Sequence, residues 1–398
     1  MILTNSLINE IFKAFFIQRW NDKIRPVDLI EMDKHAHKVI IAYCIGKYEE
    51  KQGKDVNWLM LIKGSIYELL RRIVISDIKS PIYYKIRQDY KEIYKKMNRW
   101  VYDNLSPFFN DEEIKNELWD FLYEDSFLDE ATRKILNAAH KYASYWEFQI
   151  VKFANPGGYQ IIETEKEFLS ELDTYLEFIG IRKLMSKQSI ADFVDLCGQL
   201  RFQIRWQQLP RLPKTSVLGH SMFVAIMSYF LALENKSCPR RLYNSFFGGI
   251  FHDIPEIATR DIISPVKNFS KEFESLIKEI EQSLAENELY PLLEDNMKDE
   301  IKYFTQDEFK NKIYSNEKAI ENLSVDDLNE KYNKNQFNPM DGEVIKAADR
   351  LSAFLEAWYS MKFGVRNDEF TDSMNNIKSR YINSKFGNVN MEEIYRNY

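Results

Sequence analysis

The chain has 398 residues and a formal net charge of -7 at pH 7. A chain of this length exceeds the size at which a single core usually stops growing, so we expect two domains. The acidic balance argues against a protein that binds extended nucleic acid through broad electrostatics, although a local group of Arg and Lys could still hold a small anion. Three widely spaced cysteines without a C-x-x-C pair indicate reduced thiols and a cytoplasmic location.

The N-terminal segment 1–20 is interrupted by Asn, Glu and Lys every few residues. It has neither a basic n-region nor a small-residue cleavage site, so it predicts an amphipathic first helix rather than a signal peptide. No run of 18 apolar residues occurs in the chain, and we therefore expect no membrane span.

Helical periodicity dominates the rest of the chain. Only 13 Gly and 11 Pro occur, and long segments carry apolar residues at spacings of three and four, which predicts an all-α fold. The clearest break is "NPGG" at 155–158. It predicts a boundary between one helical domain at 1–154 and another at 159–398, the latter with a polar helical insertion at about 285–342 and a polar C-terminal tail.

Three sequence blocks recur in the same order along the chain. Segment 17–48 matches 204–233 at offsets of 185–186, segment 64–81 matches 248–265 at 184, and segment 135–148 matches 344–357 at 209. Each block alone would be unremarkable, but their common order predicts an internal duplication in which two similar helical domains stand in tandem.

In the C-terminal half, the blocks supply four candidate metal ligands, His220, His252, Asp253 and Asp349. Taken singly, His220 fits a core histidine on an apolar helix face, and Asp349 fits one partner of a buried salt bridge. Together they form a mixed nitrogen and oxygen set suited to one divalent ion, with Mn, Co, Fe, Ni, Zn and Mg left open. Such an ion would lower the pKa of a bound water and accept a phosphoryl oxygen.

The pattern His, His-Asp, Asp at 220, 252–253 and 349 resembles the HD-domain metal-dependent phosphohydrolases. More closely, "GHS" at 219–221, "HDIPEIATRDIISPVK" from 252 and "KAADRLSAFLEA" from 346 resemble the bacterial 5′-deoxynucleotidase branch, which removes phosphate from deoxyribonucleoside monophosphates. The resemblance covers about 195–365. The chain departs from that branch at Gly219, where relatives usually carry an acidic residue, and in being about twice their length.

The resemblance also implies roles for residues outside the ligand set. Glu256 would act as a general acid/base, and its alternative is an ordinary surface carboxylate. Arg205 would hold phosphate through two donors, and its alternative is a surface Arg. Trp206 would form a wall against the sugar that disfavours a ribose 2′-hydroxyl, and simple core packing is the alternative.

Thr259, Asp261 and Lys267 stand at matching places of the long motif and are the remaining candidate substrate contacts. Asp261 recurs as Asp77 in the N-terminal copy, which favours a role in fixing the loop over a contact with the sugar.

The N-terminal copy lacks the candidate ligands. Glu68 and Leu69 stand in place of His252 and Asp253, Arg72 stands in place of Glu256, and His140 stands in place of Asp349. Leucine cannot ligate a metal and arginine would repel one, so residues 1–154 are predicted to be a degenerate HD-like domain without this metal centre. His35 and His37 are expected to be core or solvated residues.

Relatives in the deoxynucleotidase branch tend to be homodimers, so the resemblance implies that the two copies pack as a pseudo-dimer within one chain, with further homo-oligomerisation open. It implies an enzyme that removes the 5′-phosphate of (deoxy)nucleoside monophosphates with metal-activated water. Two alternatives remain: an HD-type hydrolase of a nucleoside triphosphate or signalling nucleotide, and a non-catalytic nucleotide-binding or scaffold protein.

Overall fold

The computed structural model describes residues 1–76, 78–124, 126–259, 270–315, 318–382 and 384–398. Over these ranges the chain is mainly α-helical, which confirms the all-α prediction. Strands occur there as three short two-stranded antiparallel hairpins. The hairpins lie at the edges of a helical body and do not form its core.

The α-helices of the N-terminal half are α1 (Asn5–Phe12), α2 (Glu31–Lys51), α3 (Trp58–Val74), α4 (Ser80–Asp89), α5 (Lys91–Leu105), α6 (Glu112–Tyr123) and α7 (Glu130–Ala154). The described α-helices that follow are α8 (Ile161–Asp173), α9 (Ile179–Met185), α10 (Ser189–Gln199), α11 (Val217–Glu234), α12 (Pro239–Phe251), α13 (Glu256–Thr259), α14 (Lys271–Leu284), α15 (Asp295–Thr305), α16 (Val325–Glu330), α17 (Gly342–Lys362), α18 (Asp368–Ser379) and α19 (Met391–Arg396). The strands are β1 (Gln18–Arg19), β2 (Leu29–Ile30), β3 (Lys312–Ser315), β4 (Lys318–Glu321), β5 (Lys385–Phe386) and β6 (Val389–Asn390).

The predicted break at "NPGG" is a real interruption of the helices, because α7 ends at Ala154 and α8 begins at Ile161. It does not separate two cores. One continuous cluster of buried apolar side chains includes Ile40 and Leu69 from one side of the break and Phe223 and Phe247 from the other. The internal duplication into two domains therefore stays a prediction. In the structure, the two halves contribute side chains to one common core.

Helix α11 lies at the centre of this shared core. Its residues 217–232 are all buried, and it packs against α2, α12 and α17. By length and composition α11 could cross a membrane, but 89% of it is buried inside the protein. A helix that is apolar on every face needs burial on every face, and here neighbouring helices provide it.

A glycine sets the spacing between α11 and α12. A Cβ atom at Gly249 would lie 2.7 Å from the Cα of Ala225 and 2.8 Å from its backbone nitrogen. The two backbones can approach this closely because position 249 has no side chain. The close approach brings the end of α12, where His252 stands, towards His220 on α11.

The predicted insertion at 285–342 is more firmly packed than its polar sequence indicates. It contains a one-turn π-helix (Ala285–Leu289), α15, the β3–β4 hairpin and α16. The rings of Phe304 on α15 and Phe251 on α12 are stacked, with centroids 6.1 Å apart. Arg241 and Asp341, both fully buried, form an ion pair of 2.7 Å that joins α12 to the residue before α17.

Replacing Gly249 by Ala is expected to destabilise the protein by about 1–3 kcal/mol, because the added methyl group meets backbone atoms that cannot move aside independently. Urea unfolding followed by circular dichroism would measure the loss. Gly157→Ala is the matched control, since a Cβ there would meet nothing within 4 Å. Equal stability of the two variants would contradict the close-contact argument.

Candidate active site

The four candidate ligands come from two helices and one turn, whereas the sequence pattern predicts three helices, because α12 ends just before His252. His220 lies in the first turns of α11, which begins after Ser216, whose Oγ accepts a hydrogen bond from the backbone N–H of Gly219 at 2.9 Å. His252 and Asp253 directly follow the last residue of α12, and Asp349 lies on α17. The packing of α12 and α17 against α11 brings these segments together.

The ligand atoms converge on one point. His220 Nε2 lies 3.1 Å from Asp349 Oδ1 and 3.5 Å from Asp253 Oδ2, and His252 Nε2 lies 3.2 Å from Asp253 Oδ1. One ligand atom from each of His220, His252 and Asp349 lies within 4.8 Å of the others. Among the residues that the structure describes, this is the one group of three or more His, Cys, Asp or Glu side chains with that spacing.

Both imidazoles present Nε2 to this point. Nδ1 of His252 donates to the carbonyl of Gly249 at 2.9 Å, and Nδ1 of His220 pairs with Ser352 Oγ at 2.9 Å. The two Nε2 atoms are buried and have no hydrogen-bond partner within the described part of the chain. Two imidazole nitrogens without partners that face two carboxylates fit a divalent cation, because such an ion binds both ligand types. The hydrogen bond at each Nδ1 fixes the imidazole so that Nε2 can act as the ligand.

The electrostatics of the cluster also fit a cation. Burial alone would lower the pKa of His252, but the carboxylates of Asp253 and Asp349 raise it to about 9. Burial alone would raise the pKa of Asp253, yet His252, His220 and Arg205 hold it below its usual range. The pKa of Asp349 is lowered in the same way, mainly by His220 against the effect of burial. The carboxylates are therefore ionised in the physiological pH range.

A fully buried carboxylate, Glu356 on α17, holds Arg205 and Trp206 next to the ligand cluster. It accepts hydrogen bonds from Arg205 Nε at 3.3 Å, Trp206 Nε1 at 2.7 Å and Thr215 Oγ1 at 2.6 Å. Arg205 Nη1 lies 3.9 Å from Asp253 Oδ2, so the guanidinium stands beside the ligand cluster. The sequence interpretation did not single out Glu356, although it aligns with Glu147 at the same offset of 209 as the rest of its block.

Of the other predicted site residues, apart from Arg205 and Trp206, the structure describes Glu256 and Thr259. Glu256 is buried at the start of α13, but residues 252–255 form turns, so it does not follow His252 on one continuous helix. Thr259 Oγ1 donates to Glu281 Oε1 on α14 at 3.3 Å rather than to the ligand cluster. Asp261 and Lys267 lie outside the described residues.

Trp206 has a left-handed backbone, with φ of 58°, and its ring packs edge-on against Phe370 at 5.6 Å between centroids. With its indole N–H held by Glu356, the side chain has a fixed position next to Arg205. This placement is compatible with both predicted roles, a wall against the sugar and a packing residue.

The structure gives a steric reason for Gly219. A Cβ at this position would lie 2.5 Å from Asp33 Oδ1 and 2.8 Å from Phe15 Cε1. Asp33, on α2 of the N-terminal half, accepts a hydrogen bond from Ser216 Oγ at 2.6 Å. An acidic group from the other half of the chain thus lies next to position 219.

The packed insertion also reaches the site. The ring centroid of Phe309 lies 6.1 Å from that of His252. Burial raises the pKa of the neighbouring Glu308, and the charges of Lys278, His252 and Asp253 act on the same carboxyl. No sequence pattern indicated this contact, because the composition of the segment is that of a polar connection.

Known proteins resemble the C-terminal half of the chain. The HD domain family model matches residues 197–378. A 5′-deoxynucleotidase of Pasteurella multocida is 30% identical over 177 residues, which are 43% of this chain and 87% of that protein. A 5′-deoxynucleotidase of Shewanella oneidensis is 26% identical over 178 residues, 44% of this chain and 76% of that protein, and one of Vibrio cholerae is 23% identical over 180 residues, 42% and 73%.

The chain therefore belongs to the HD-domain superfamily, near its 5′-deoxynucleotidase branch. The family and these relatives support a metal-dependent phosphohydrolase that acts on nucleotides. Each matched relative aligns with less than half of this chain, so the rest of the sequence has no counterpart in those alignments.

Substituting His252 by Gln is expected to weaken binding of Mn²⁺ or Co²⁺ at least about tenfold, because a neutral amide is a poorer ligand than imidazole and Nε2 is lost. Isothermal titration of metal-stripped protein would measure the affinity. His37→Gln is the control, since His37 is equally buried but hydrogen-bonds to the carbonyl of Val194. Unchanged metal affinity in the His252 variant would refute the assignment.

Proposed function

We propose that the protein removes the 5′-phosphate of (deoxy)nucleoside monophosphates, with His220, His252, Asp253 and Asp349 holding one divalent ion. The observation that carries the proposal is the convergence of two orphaned imidazole nitrogens and two carboxylates beside a guanidinium. The ligand set suits the ion, and Arg205 suits a phosphate oxygen next to it.

When bound, the ion would supply Lewis acidity, which activates a water and offsets charge on the phosphate oxygens. Arg205 is proposed to bind phosphate oxygens through its Nη atoms, because its Nε donates to Glu356. Water oxygen forms the new bond to phosphorus as the bond to the 5′-oxygen breaks. Glu256 is proposed to transfer a proton to that leaving oxygen, so that the products are a nucleoside and inorganic phosphate.

We also propose that residues 1–154 are a degenerate copy of the catalytic domain at 159–398, and that the two pack as an intrachain pseudo-dimer. Matching contacts support this. Arg19 and Trp20 donate to Glu147 at 2.8 and 3.0 Å, as Arg205 and Trp206 donate to Glu356. The proposed enzyme acts in the cytoplasm, and further association of whole chains is left open.

A nucleoside triphosphate or signalling nucleotide is the second candidate substrate. The observation in its favour is the packed insertion, which brings Phe309 close to His252 and could recognise a larger ligand. The products separate the two substrates, because a triphosphate hydrolase of this kind releases pyrophosphate or triphosphate. A non-catalytic nucleotide-binding scaffold would release neither.

Metal-stripped protein reloaded with Mn²⁺, Co²⁺ or Mg²⁺ is expected to release inorganic phosphate from deoxyribonucleoside 5′-monophosphates, measured colorimetrically over a panel of mono- and triphosphates. Asp253→Asn should lower kcat by about 10³ or more, because it removes a ligand charge at the reacting centre. Asp103→Asn, an exposed carboxylate on α5, is the control. No product from any nucleotide with any metal would refute the enzymatic proposals.

Replacing Glu356 by Gln is expected to raise KM for the nucleotide about tenfold with a smaller effect on kcat, because Arg205 and Trp206 lose their charged acceptor. Steady-state kinetics would separate the two constants. Glu147→Gln is the matched control, since it breaks the same kind of contact with Arg19 and Trp20 in the other half. Equal changes of KM in both variants would indicate a general loss of stability instead of positioning.

A further inference from the structure

The N-terminal half preserves the frame of the candidate active site but changes its charges. Trp20 has a left-handed φ of 54°, close to the 58° of Trp206. The pairing of Gln18 with Ile30 matches the bridge between Ile204 and Ser216 at an offset of 186. At that offset Lys34 stands in the place of His220.

The contact that Lys34 makes also corresponds to a contact of His220. Lys34 Nζ lies 2.6 Å from His140 Nδ1, where the C-terminal half has His220 Nε2 beside Asp349. The sequence comparison did not single out Lys34, because it matched histidine with histidine and thereby shifted the block by one residue. A metal ligand has been replaced by a cation at the centre of the frame.

An open cavity of about 760 Å³, counting the part that is open to solvent, surrounds this position. Two acidic side chains line it, Glu31 and Glu68. The basic side chains that line it are Arg19, Lys34, Lys38, Arg71, Arg72 and Arg87. Six basic groups against two acidic ones make the cavity suited to an anion.

Two of these cations, Lys34 and Arg71, have no carboxylate partner in the part of the chain that the structure describes. Among the described residues, salt bridges connect Arg19 and Arg72 to Glu31, and Lys38 to Glu68. No carboxylate of the described chain lies within 4 Å of Lys34 Nζ or of the guanidinium of Arg71. Lys34 is also almost fully buried. A buried ammonium group without a counter-ion is costly, and a bound anion would remove that cost.

The surroundings of Lys34 show the strength of this effect. Burial, followed by the charge of Arg19, lowers the pKa of Lys34 to about 7, although the charges of Glu31 and Glu147 oppose this shift. Burial and the same cations lower the pKa of His140 well below its usual value, so its imidazole is neutral and contributes no charge. An anion next to Lys34 would favour the charged ammonium and would be bound by it in turn.

Aromatic side chains also line the cavity. Tyr83 and Tyr84 belong to its lining, and the guanidinium of Arg71 stacks over Tyr83 at 5.2 Å. A second cavity, which shares four lining residues with the first, Arg71 among them, is lined by further aromatic rings, including Tyr94 and Phe121. Basic groups together with aromatic rings suit a phosphate joined to a nucleobase.

We propose that the N-terminal cavity is a second, non-hydrolytic binding site for a nucleoside phosphate, with Lys34 and Arg71 binding the phosphate group. The site lies one residue from Asp33, which hydrogen-bonds Ser216 at the start of the helix that carries His220. Asp33 on α2 therefore links the neighbourhood of the proposed binding site to the helix that carries His220. Binding at this site does not depend on whether the C-terminal half hydrolyses nucleotides.

Isothermal titration of metal-free, full-length protein with deoxyadenosine monophosphate, deoxyadenosine triphosphate and inorganic phosphate tests the proposal. Arg71→Met and Lys34→Met are each expected to weaken nucleotide binding about tenfold, because each removes a charge-assisted hydrogen bond. Arg99→Met, a surface arginine on α5, controls for the loss of one charge.

Retained affinity in both Arg71→Met and Lys34→Met would overturn the proposal. Equal affinity for inorganic phosphate and for the nucleotides would contradict recognition of a nucleoside. Circular dichroism of each variant distinguishes weak binding from a failure to fold, and Arg71→Met carries the test if Lys34→Met is unfolded. Because no metal is present, loss of phosphatase activity and loss of this binding are measured separately.

Discussion

Helix α11 must be covered on every side, and this requirement determines the arrangement of both halves of the protein. Its residues 217–232 are buried, with α2 on one side and α12 and α17 on others. An isolated C-terminal half would expose the face that α2 covers, at a cost of about 25 cal/mol for each Å² of apolar surface. The N-terminal half is thus part of the support of His220, whatever else it does.

The two halves use one frame with opposite charge at its centre. In each, a buried glutamate on a long helix accepts hydrogen bonds from an adjacent Arg-Trp pair. In the C-terminal half this frame faces two imidazoles and two carboxylates, which attract a cation. In the N-terminal half it faces Lys34 and several arginines, which repel one and attract an anion. A few substitutions at the centre are enough for this change, since the packing around them is maintained.

The sequence predicted the helical class and the residues of the ligand cluster because both depend on local patterns. Periodicity specifies helices, and the motif around His252 is long enough to be distinctive. The placement of Glu356 and Glu308 could not be predicted in this way. Glu356 acts through contacts with residues about 140–150 positions away, and Glu308 belongs to a segment whose polar composition conceals its packing. Contacts of that range depend on the tertiary fold.

The shift of one residue in the first repeated block shows a different limit. An alignment by residue type pairs His35 with His220. In the structure, Lys34 and His220 occupy the same position relative to the start of their helices, so Lys34 is the structural equivalent of His220. His35 instead hydrogen-bonds the carbonyl of Ser65, and His37 that of Val194, so both are core residues. Residue identity is a weak basis for aligning two sites that differ in chemistry, because the residues that differ are those of the site itself.

Gly219 and Asp33 extend this argument to the contact between the halves. They occupy equivalent positions at the offset of 186, and Asp33 Oδ1 would lie 2.5 Å from a Cβ at 219. A second carboxylate in that buried space would raise the pKa of Asp33 further. Burial already raises the pKa of Asp33 to about 6. In this chain the space holds one acidic side chain, which the N-terminal half supplies, and the glycine at 219 leaves room for it.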